Sequence, residues 1–501
     1  MKIKDPIKLT VPNKAEYLPI IDKTVSATAR LLGFGKMDIA KIELGLEEAV
    51  VNILNNSFAP GEESTYDVIL QPQTTGMKII LKEMGIPFDP GQMDEYDPGR
   101  IKETLSEKGL GIFLMQQFVD EVSFINLGKS GKETHLFKHF SNRSVEKIMT
   151  AEEREQAREA ILEEPLPRNS VEFTVREILE KEAIEISKCA YSSYGYTYIN
   201  EDIYFPDRIW KLNQSGELIS LVPVTSEGKI MGHTALEIEE RDPLFPQLGM
   251  AFVMPRYQGQ GCMNRVVPLL IQKGKERGFA GIYARGITAH PYSQKSLSKF
   301  GMKDTALLVS SGPGREYKGI IEGKTQRESV VLLSLFLKEI VQRKLYLPSR
   351  HQNLIEKIYA HLEIPLKNLR PKKTKPVEKT QSSVSVSIEN VNQVAHIVVK
   401  EYGNNIIDEI ARNLRSLCID RIETIYLHLK MTDPLLLLYI DSMESLLFFF
   451  AGIMPASDGN DELILQYLNN YRIDYNKVMV ATEMAQEIKE YIRKLDPNQQ
   501  F

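Results

Sequence analysis

The sequence predicts a multidomain α/β (α+β) protein of about three units. Three observations predict it. Strand-like and helix-like apolar spacing alternate within each of three stretches. Two glycine turns, Lys108-Gly109-Leu110-Gly111 and Arg256-Tyr257-Gln258-Gly259-Gln260-Gly261, each lead into a helical pattern. A stretch rich in lysine and proline, centred on residues 370–376, separates the last unit as a linker would.

Composition narrows the class. A hydrophobic content of 43% with 26% charged residues is that of a soluble globular chain, and a net charge of -5 gives no reason to expect nucleic-acid binding. Cys189, Cys262 and Cys418 are far apart and lack metal spacing, which suggests reduced thiols and a cytoplasmic setting. Met1–Pro6 carries no apolar signal core. The most apolar region, 435–456, is broken by Asp441 and Glu444 and reads as a core helix followed by a strand, so no membrane span is expected.

The first unit covers residues 1–140. A strand over Ile7–Val11 leads to a helix over Tyr17–Leu32 and a second over Asp38–Ser57. On the second helix Ile39, Ile42, Leu46, Ala49, Val50 and Ile53 form an apolar face at helical spacing. Glu48, Asn52 and Asn56 follow at intervals of four and share one side. A carboxylate and an amide one turn apart can hold a hydrated magnesium ion or orient a water against a phosphate, and the same pattern suits a solvated face. Strands over Val68–Leu70 and Met77–Lys82 precede Glu83-Met84-Gly85-Ile86-Pro87-Phe88-Asp89-Pro90. The Gly109/Gly111 turn then enters a helix over Ile112–Val119, and strands over Glu121–Leu127 and Thr134–Lys138 close the unit.

That order of motifs resembles a GHKL ATPase, and most closely the anti-sigma-factor serine-kinase branch, over nearly the whole unit. The resemblance implies an α/β sandwich that binds ATP with Mg2+. It implies Glu48 as catalytic base, Asn52 as the magnesium ligand, Glu83 with Gly85 at the adenine amino group, and Gly109 and Gly111 around the phosphates. It also implies a regulatory protein partner. The sequence departs from the family in three places: Glu83 stands for an aspartate, Asn56 for a histidine, and the second turn has two glycines only.

Residues 141–170 form a connector with a charged helix over 151–164, ended by Pro165 and Pro167. The second unit, 171–365, begins with a helical pattern over Val175–Ser193, followed by antiparallel strands over Leu218–Val224, Lys229–Ile238 and Leu248–Met254. Next come the Arg256–Gly261 turn and a helix, a strand over Gly281–Ile287 and a short helix over Pro291–Phe300. Glycines let a backbone approach a ligand closely, and the free amides of a helix start favour an anion such as a pyrophosphate.

The R-x-x-G-x-G spacing and the element order resemble the GNAT N-acetyltransferases, with a mixed sheet flanked by helices. The resemblance implies acetyl-CoA, or another acyl-CoA, held at Arg256, Tyr257, Gln258, Gly259, Gln260, Gly261 and Cys262, with Met250–Val253 beside the pantetheine arm. Acyl transfer to an amine needs a base and an acid. Glu237 is the candidate base, and His290, Tyr292 and Ser296 are further candidates, because the family's tyrosine position is here Leu297. Each of these residues also suits a structural role. Cys262 lacks a charged partner and reads as a small packed residue, not a nucleophile.

Strand Ser329–Leu337 and helix Gln352–Leu362 complete the second unit, and 366–383 is a basic linker without interleaved aromatic residues. In 384–501 the order is strand, helix, strand, helix, two strands and helix, with Phe448–Gly452 where Phe300-Gly301 stands in the second unit. This reads as a degenerate GNAT-like repeat without the glycine loop, packed on the active copy or shaping its acceptor site. An unrelated α/β domain is the other reading. The chain is thus expected to be an acyl-CoA-dependent N-acyltransferase, acting on a small-molecule or protein amine and joined to a regulatory ATP-binding domain. The alternative is an anti-sigma or serine-kinase signalling protein that uses its GNAT unit as an acyl-CoA sensor. A homodimer is left open.

Overall fold

The computed structural model describes residues 6–59, 61–72, 76–85, 110–127, 131–140, 165–194, 201–314, 326–370, 380–389 and 392–499. Gly109, the Pro87–Pro90 run, the charged helix over 151–164 and the linker centre lie outside the described residues. The chain forms two compact units, Met1–Arg154 and Glu155–Phe501. No helix among the described residues is long and apolar enough to cross a membrane.

In the first unit, β1 (Ile7–Pro12), β2 (Thr65–Pro72), β3 (Gly76–Glu83), β4 (Glu121–Asn126) and β5 (Lys132–His139) form an antiparallel sheet in the order β1-β2-β3-β5-β4. Helices α1 (Leu18–Leu32), α2 (Lys36–Asn56) and α3 (Leu110–Phe118) accompany it. The α2 residues that the spacing places on one face are all buried. Gly45 on the same helix lets the end of α3 approach, since a Cβ there would lie 2.9 Å from a Val119 methyl.

The second unit contains β6 (Phe173–Glu177), β7 (Leu218–Thr225), β8 (Gly232–Glu237), β9 (Gln247–Val253), β10 (Gly281–Ile287), β11 (Lys303–Gly312), β12 (Glu328–Phe336), β13 (Arg343–Leu345), β14 (Leu366–Asn368), β15 (Ser383–Glu389), β16 (Val394–Glu401), β17 (Thr424–Lys430), β18 (Phe449–Met454) and β19 (Glu462–Leu468). Its helices are α4 (Ala183–Tyr194), α5 (Pro206–Ser215), α6 (Cys262–Glu276), α7 (Tyr292–Lys299), α8 (Gln352–His361), α9 (Ile406–Ile419), α10 (Leu436–Ser445) and α11 (Glu483–Leu495). Twelve strands form one sheet in the order β15-β16-β17-β19-β18-β11-β12-β10-β9-β8-β7-β6. The stretches 171–365 and 384–501 therefore share a sheet, and one hydrophobic core runs through both.

Three local expectations are corrected. The helix expected over Val175–Ser193 starts only at Ala183, because Phe173–Glu177 pairs antiparallel with β7. The strands β11 and β16 were not anticipated. β11 is almost wholly buried, so it lacks the polar–apolar alternation that marks a half-exposed strand.

The pairing is palindromic about the β11–β18 junction. β9 runs parallel to β10, β10 antiparallel to β12, and β12 antiparallel to β11. β16, β17, β19 and β18 repeat this sequence of pairings. Each half also reaches into the other. The Met479 amide bonds to the Thr288 carbonyl at 2.8 Å, and the Tyr346 amide bonds to the Met431 carbonyl at 2.8 Å. Polar side chains cross the same boundary: Arg241 pairs with Glu462, and Asp242 accepts from the Ser457 amide at 2.7 Å and hydroxyl at 2.5 Å. Inside the second half, His428 lies between Glu462 at 3.0 Å and His396 at 2.9 Å.

Two predictions follow from this packing, and Trp210, the single tryptophan, reports both from α5. Gly452 pairs with Ala306 at the junction with a φ of 142°, and a Cβ there would lie 2.3 Å from the Ala306 Cα. Gly452→Val should destabilise this unit by about 3 kcal/mol, seen as a lower urea midpoint. Burial holds His428 at about 4, against 6.5 for a free imidazole, despite the opposing pull of Glu462. A pKa depressed by folding means that stability is complete above pH 6.5 and is lost as pH falls towards 4. Lowering the pH from 7.5 to 5.0 should therefore cost on the order of 2 kcal/mol through this residue. Glu462, held near 2, releases its own contribution only below pH 4.5.

Candidate functional site

In the first unit a shallow cleft, open to solvent, lies between the C-terminal half of α2 and strands β4 and β5. Asn52 and Asn56 line it from α2, and Phe124, Asn126, Lys132 and Thr134 line it from the sheet. The Asn56 side-chain amide donates to the Asn52 Oδ1 at 2.6 Å, so the two amides are fixed relative to each other. Glu48 is one turn earlier, and its Oε2 would lie 3.5 Å from a Cβ at Gly111. Glu48 and Gly111, 63 residues apart in the chain, thus meet.

Glu83 is 2% exposed. Its carboxylate accepts from the Gly85 amide two residues on and is paired with Lys132 at 3.1 Å. The glutamate side chain curls back onto its own turn. Burial lowers the Lys132 pKa. Lys132 escaped the sequence reading because its role depends on the pairing of β3 with β5, where Glu83 and Lys132 are directly opposite. A carboxylate has about four lone-pair positions, so Glu83 retains acceptor capacity beyond these two partners.

In the second unit the decisive geometry is the parting of β9 from β10. Their parallel register extends only over Gln247↔Tyr283 and Leu248↔Ala284. Beyond Leu248 the facing backbone edges have no partner strand in each other, which leaves a V-shaped slot. In the other half, β16 and β17 stay paired over five positions, from Val394↔Thr424 to Val398↔His428, so the equivalent slot is zipped shut.

The glycine loop stands at the open end of the V. Pro255–Tyr257 makes a tight turn, Gly259 and Gly261 have φ of 80° and 79°, and Gly261 caps α6. Both positions require glycine. The first amides of α6, at Cys262 and Met263, have no acceptor within the helix and carry its positive end. Burial pushes the Cys262 thiol up to about 11, so it stays protonated at neutral pH. Tyr257 is buried in a small apolar cluster with Phe173 and Cys262.

Gln260 takes a structural task. It is 4% exposed and binds the incoming chain. Its Oε1 accepts from the Ser170 and Val171 amides at 2.9 and 3.0 Å, and its Nε2 donates to the Pro167 and Leu166 carbonyls at 2.8 and 3.3 Å. The Leu166 amide adds a bond to the Arg256 carbonyl at 3.0 Å. The end of the connector is therefore fastened to the back of the loop.

The candidate catalytic residues fall into two groups. Glu237 is at the closed end of the V, where its Oε1 accepts from Gln247 Nε2 at 3.2 Å and lies over Gly249. Tyr283 and Glu239 join it there, with the Tyr283 hydroxyl donating to Glu239 at 2.6 Å. Burial opposes the charge on Arg285, while the carboxylates of Glu389, in the C-terminal half, and Glu239 sustain it. His290, Tyr292 and Ser296 lie past the other end of β10. Four strand residues, about 13 Å, separate Tyr283 from Ile287 before that turn begins. The structure therefore does not bring these three together with Glu237. Burial lowers the His290 pKa, Tyr292 is exposed, and Leu297 is part of the core. Gln294 on α7 also escaped the sequence reading. It is fully buried and donates to Met479 O at 2.9 Å while accepting from the Ala481 amide at 2.9 Å, which secures the C-terminal half over this turn.

Residues 11–138 match the histidine kinase-like ATPase domain family, and residues 181–302 match the GNAT acetyltransferase family. The serine-protein kinase RsbW of Halalkalibacterium halodurans is 30% identical over 128 residues, covering 24% of this chain and 78% of that protein. RsbW of Bacillus subtilis is 27% identical over 146 residues, covering 28% of this chain and 90% of its own. A solved N-acetyltransferase from Staphylococcus aureus Mu50 aligns with 33% of this chain and 99% of its own at 16% identity, with a TM-score of 0.28. The chain joins two families in one polypeptide: its first unit belongs with the RsbW-type histidine kinase-like ATPases, and its second carries a GNAT acetyltransferase domain.

Proposed function

We propose that the chain is an acyl-CoA-dependent N-acyltransferase, with acetyl-CoA as donor and an amine as acceptor, whose activity is coupled to ATP binding by the first unit. The observation that carries this reading is the open V between β9 and β10, ending at two left-handed glycines and a helix start. An extended amide-bearing arm would satisfy the unpaired β9 edge, and a pyrophosphate would satisfy the α6 amides. The acceptor nitrogen attacks the thioester carbonyl carbon, the carbon–sulfur bond breaks, and CoA leaves as the thiolate. Glu237, at the closed end, is the base that takes the amine proton. His290, Tyr292 and Ser296 flank the open end and would bound the donor. The C-terminal half is a degenerate GNAT-like copy that supplies Glu389 and the Met479–Ala481 segment to the active half, and its zipped β16–β17 pair leaves it without a donor slot of its own.

A second reading rests on the apposition of Glu48 with Gly111 beside the Asn52 cleft. There the first unit phosphorylates a serine on a regulatory protein, with Glu48 as base, and the GNAT unit senses acyl-CoA. In both readings Asn52 Oδ1 would hold Mg2+, with phosphate oxygens and water completing the shell, in line with the few protein ligands that this ion takes.

Calorimetric titration of the full chain separates these readings. Acetyl-CoA and Mg-ATP should each bind. Gly261→Val should weaken acetyl-CoA at least about tenfold, or 1.4 kcal/mol, and leave Mg-ATP unchanged. Asn52→Ala should do the reverse. Absence of acetyl-CoA binding would remove the transferase reading. Once an acceptor amine is in hand, Glu237→Gln should lower kcat by about 10²–10⁴ with little change in acetyl-CoA affinity. A serine-phosphorylated partner protein that disappears with Glu48→Ala would favour the kinase reading.

A further inference from the structure

Arg285 follows the last register pair of β9 with β10, Leu248↔Ala284, so it stands where the slot has just opened. The ladder fixes its side of the sheet. Directly paired residues share a face, and neighbours along a strand alternate. Ile282 and Ala284 belong to the large core that also holds residues of α6 and α8. Tyr283 and Leu332, the partner of Arg285 on β12, belong to a separate cluster on the other face. Arg285 therefore lies on the Tyr283 face. Glu237 does too, because Glu237, Gln247 and Tyr283 form one row across β8, β9 and β10. The candidate base and the guanidinium thus share a face, with their strand positions offset by about 7 Å along the strand direction.

This face is the inside of a curl. β19 and β18 lie between β17 and β11, which would set those two about 14 Å apart in a flat sheet. Yet the Tyr426 hydroxyl donates to the Val309 carbonyl at 3.2 Å, and the Thr424 hydroxyl donates to the Ser310 carbonyl at 2.7 Å. Arg327, just ahead of β12, donates to the Asn392 carbonyl at 2.5 Å, and the Asn392 side chain donates to Glu389 at 2.8 Å. The end of β15 thus reaches the start of β12, the strand beside β10. Glu389 is thereby brought near Arg285, and with Glu239 it sustains the guanidinium charge against burial.

Both carboxylates are engaged elsewhere. Glu389 accepts from Asn392 and lies 3.3 Å from His396 Nε2, and Glu239 accepts from the Tyr283 hydroxyl at 2.6 Å. Among the described residues none accepts a hydrogen bond from Arg285, and its Nε is buried without a partner. An unmet buried donor is costly, so the fork is explained by an acceptor group that arrives with the substrate. A guanidinium presents paired N–H groups that match a carboxylate with two bonds. The sign of the surroundings narrows the ligand further. Glu237, Glu239 and Glu389 outnumber Arg285, so a dianion such as a phosphate is repelled. A zwitterion suits both signs, its ammonium towards the glutamates and its carboxylate on Arg285.

We propose that Arg285 is a specificity-determining residue that binds the carboxylate of the acceptor, which makes the acceptor an amino acid. The inference rests on the acyl-CoA reading above. The ammonium sheds one proton to solvent to become the nucleophile. Glu237 takes the second as the nitrogen adds to the thioester carbonyl, and CoA leaves as the thiolate. Arg285 makes and breaks no covalent bond.

The test uses the full chain. Acetyl-CoA binding is measured first by calorimetry, and its absence overturns the acyl-CoA reading and this inference with it. Release of the CoA thiol is then followed with the common α-amino acids, β-alanine and γ-aminobutyrate. Each is compared with the same amine lacking the carboxylate and with its phosphonate counterpart. At least one amino acid should be acetylated, with kcat/KM at least about a hundredfold above that of the amine lacking the carboxylate. Arg285→Met, similar in length and uncharged, should lower that ratio at least about tenfold. A merely structural arginine would slow both substrates alike, and an unchanged ratio overturns the proposal. It is also overturned if acetyl-CoA binds but no amino acid is acetylated, or if the phosphonate is the better substrate. If Arg285→Met does not fold, Arg285→Lys keeps the charge without the planar fork. The ratio should then fall several-fold through a higher KM for the amino acid, and an unchanged ratio there overturns the proposal as well.

Discussion

The second unit depends on the point where β9 leaves β10. Two register pairs hold the strands together, and the edges beyond them keep polar groups that a folded protein must satisfy somehow. The slot is flanked by the register shift at Met250–Ala251 in β9, by the left-handed glycines at its open end, and by the polar group of Glu237, Glu239 and Tyr283 at its closed end. The C-terminal half shows the alternative. With β16 and β17 paired over five positions the edges satisfy each other, and no slot remains.

That contrast gives the two halves different duties within one sheet. Pairing of β11 with β18 makes the sheet continuous, and the reciprocal bonds at Thr288 and Met431 lace each half to the other. Much of the crossing contact is polar: Arg241 with Glu462, Asp242 with Ser457, and Gln294 with the 479–481 backbone. Such contacts set orientation more than they drive association, because each polar group gives up water to form them. The closed half is therefore joined to the open one by strand pairing and polar contacts alike.

The first unit follows the same logic with side chains in place of strand edges. Its cleft is bounded by one helix face and two strands, and the buried Glu83 is tolerable because Lys132 and the Gly85 amide face it. The buried charge of Glu83 is thus compensated locally. At the border of the second unit, Gln260 fastens residues 166–171 to the loop behind the slot. With the Leu166 amide on the Arg256 carbonyl, five hydrogen bonds tie this segment to the loop.

The sequence by itself determined many of the local elements and the glycine turn ahead of α6. The buried face of α2 is the one its spacing marks, and Arg256–Gly261 is a strand-to-helix turn, because apolar period and glycine conformational freedom are properties of neighbouring residues. It left β11 unseen, since a strand buried on both faces loses its alternation, and it also missed the partly exposed β16. Only the tertiary structure decided that 171–365 and 384–501 share a sheet, that β9 and β10 part while β16 and β17 do not, and that His290 and Glu237 lie at opposite ends of the slot. It also decided the tasks of Lys132, Gln260 and Gln294. Their partners are as far as 187 positions away, and a polar side chain's role is set by what faces it when water is excluded.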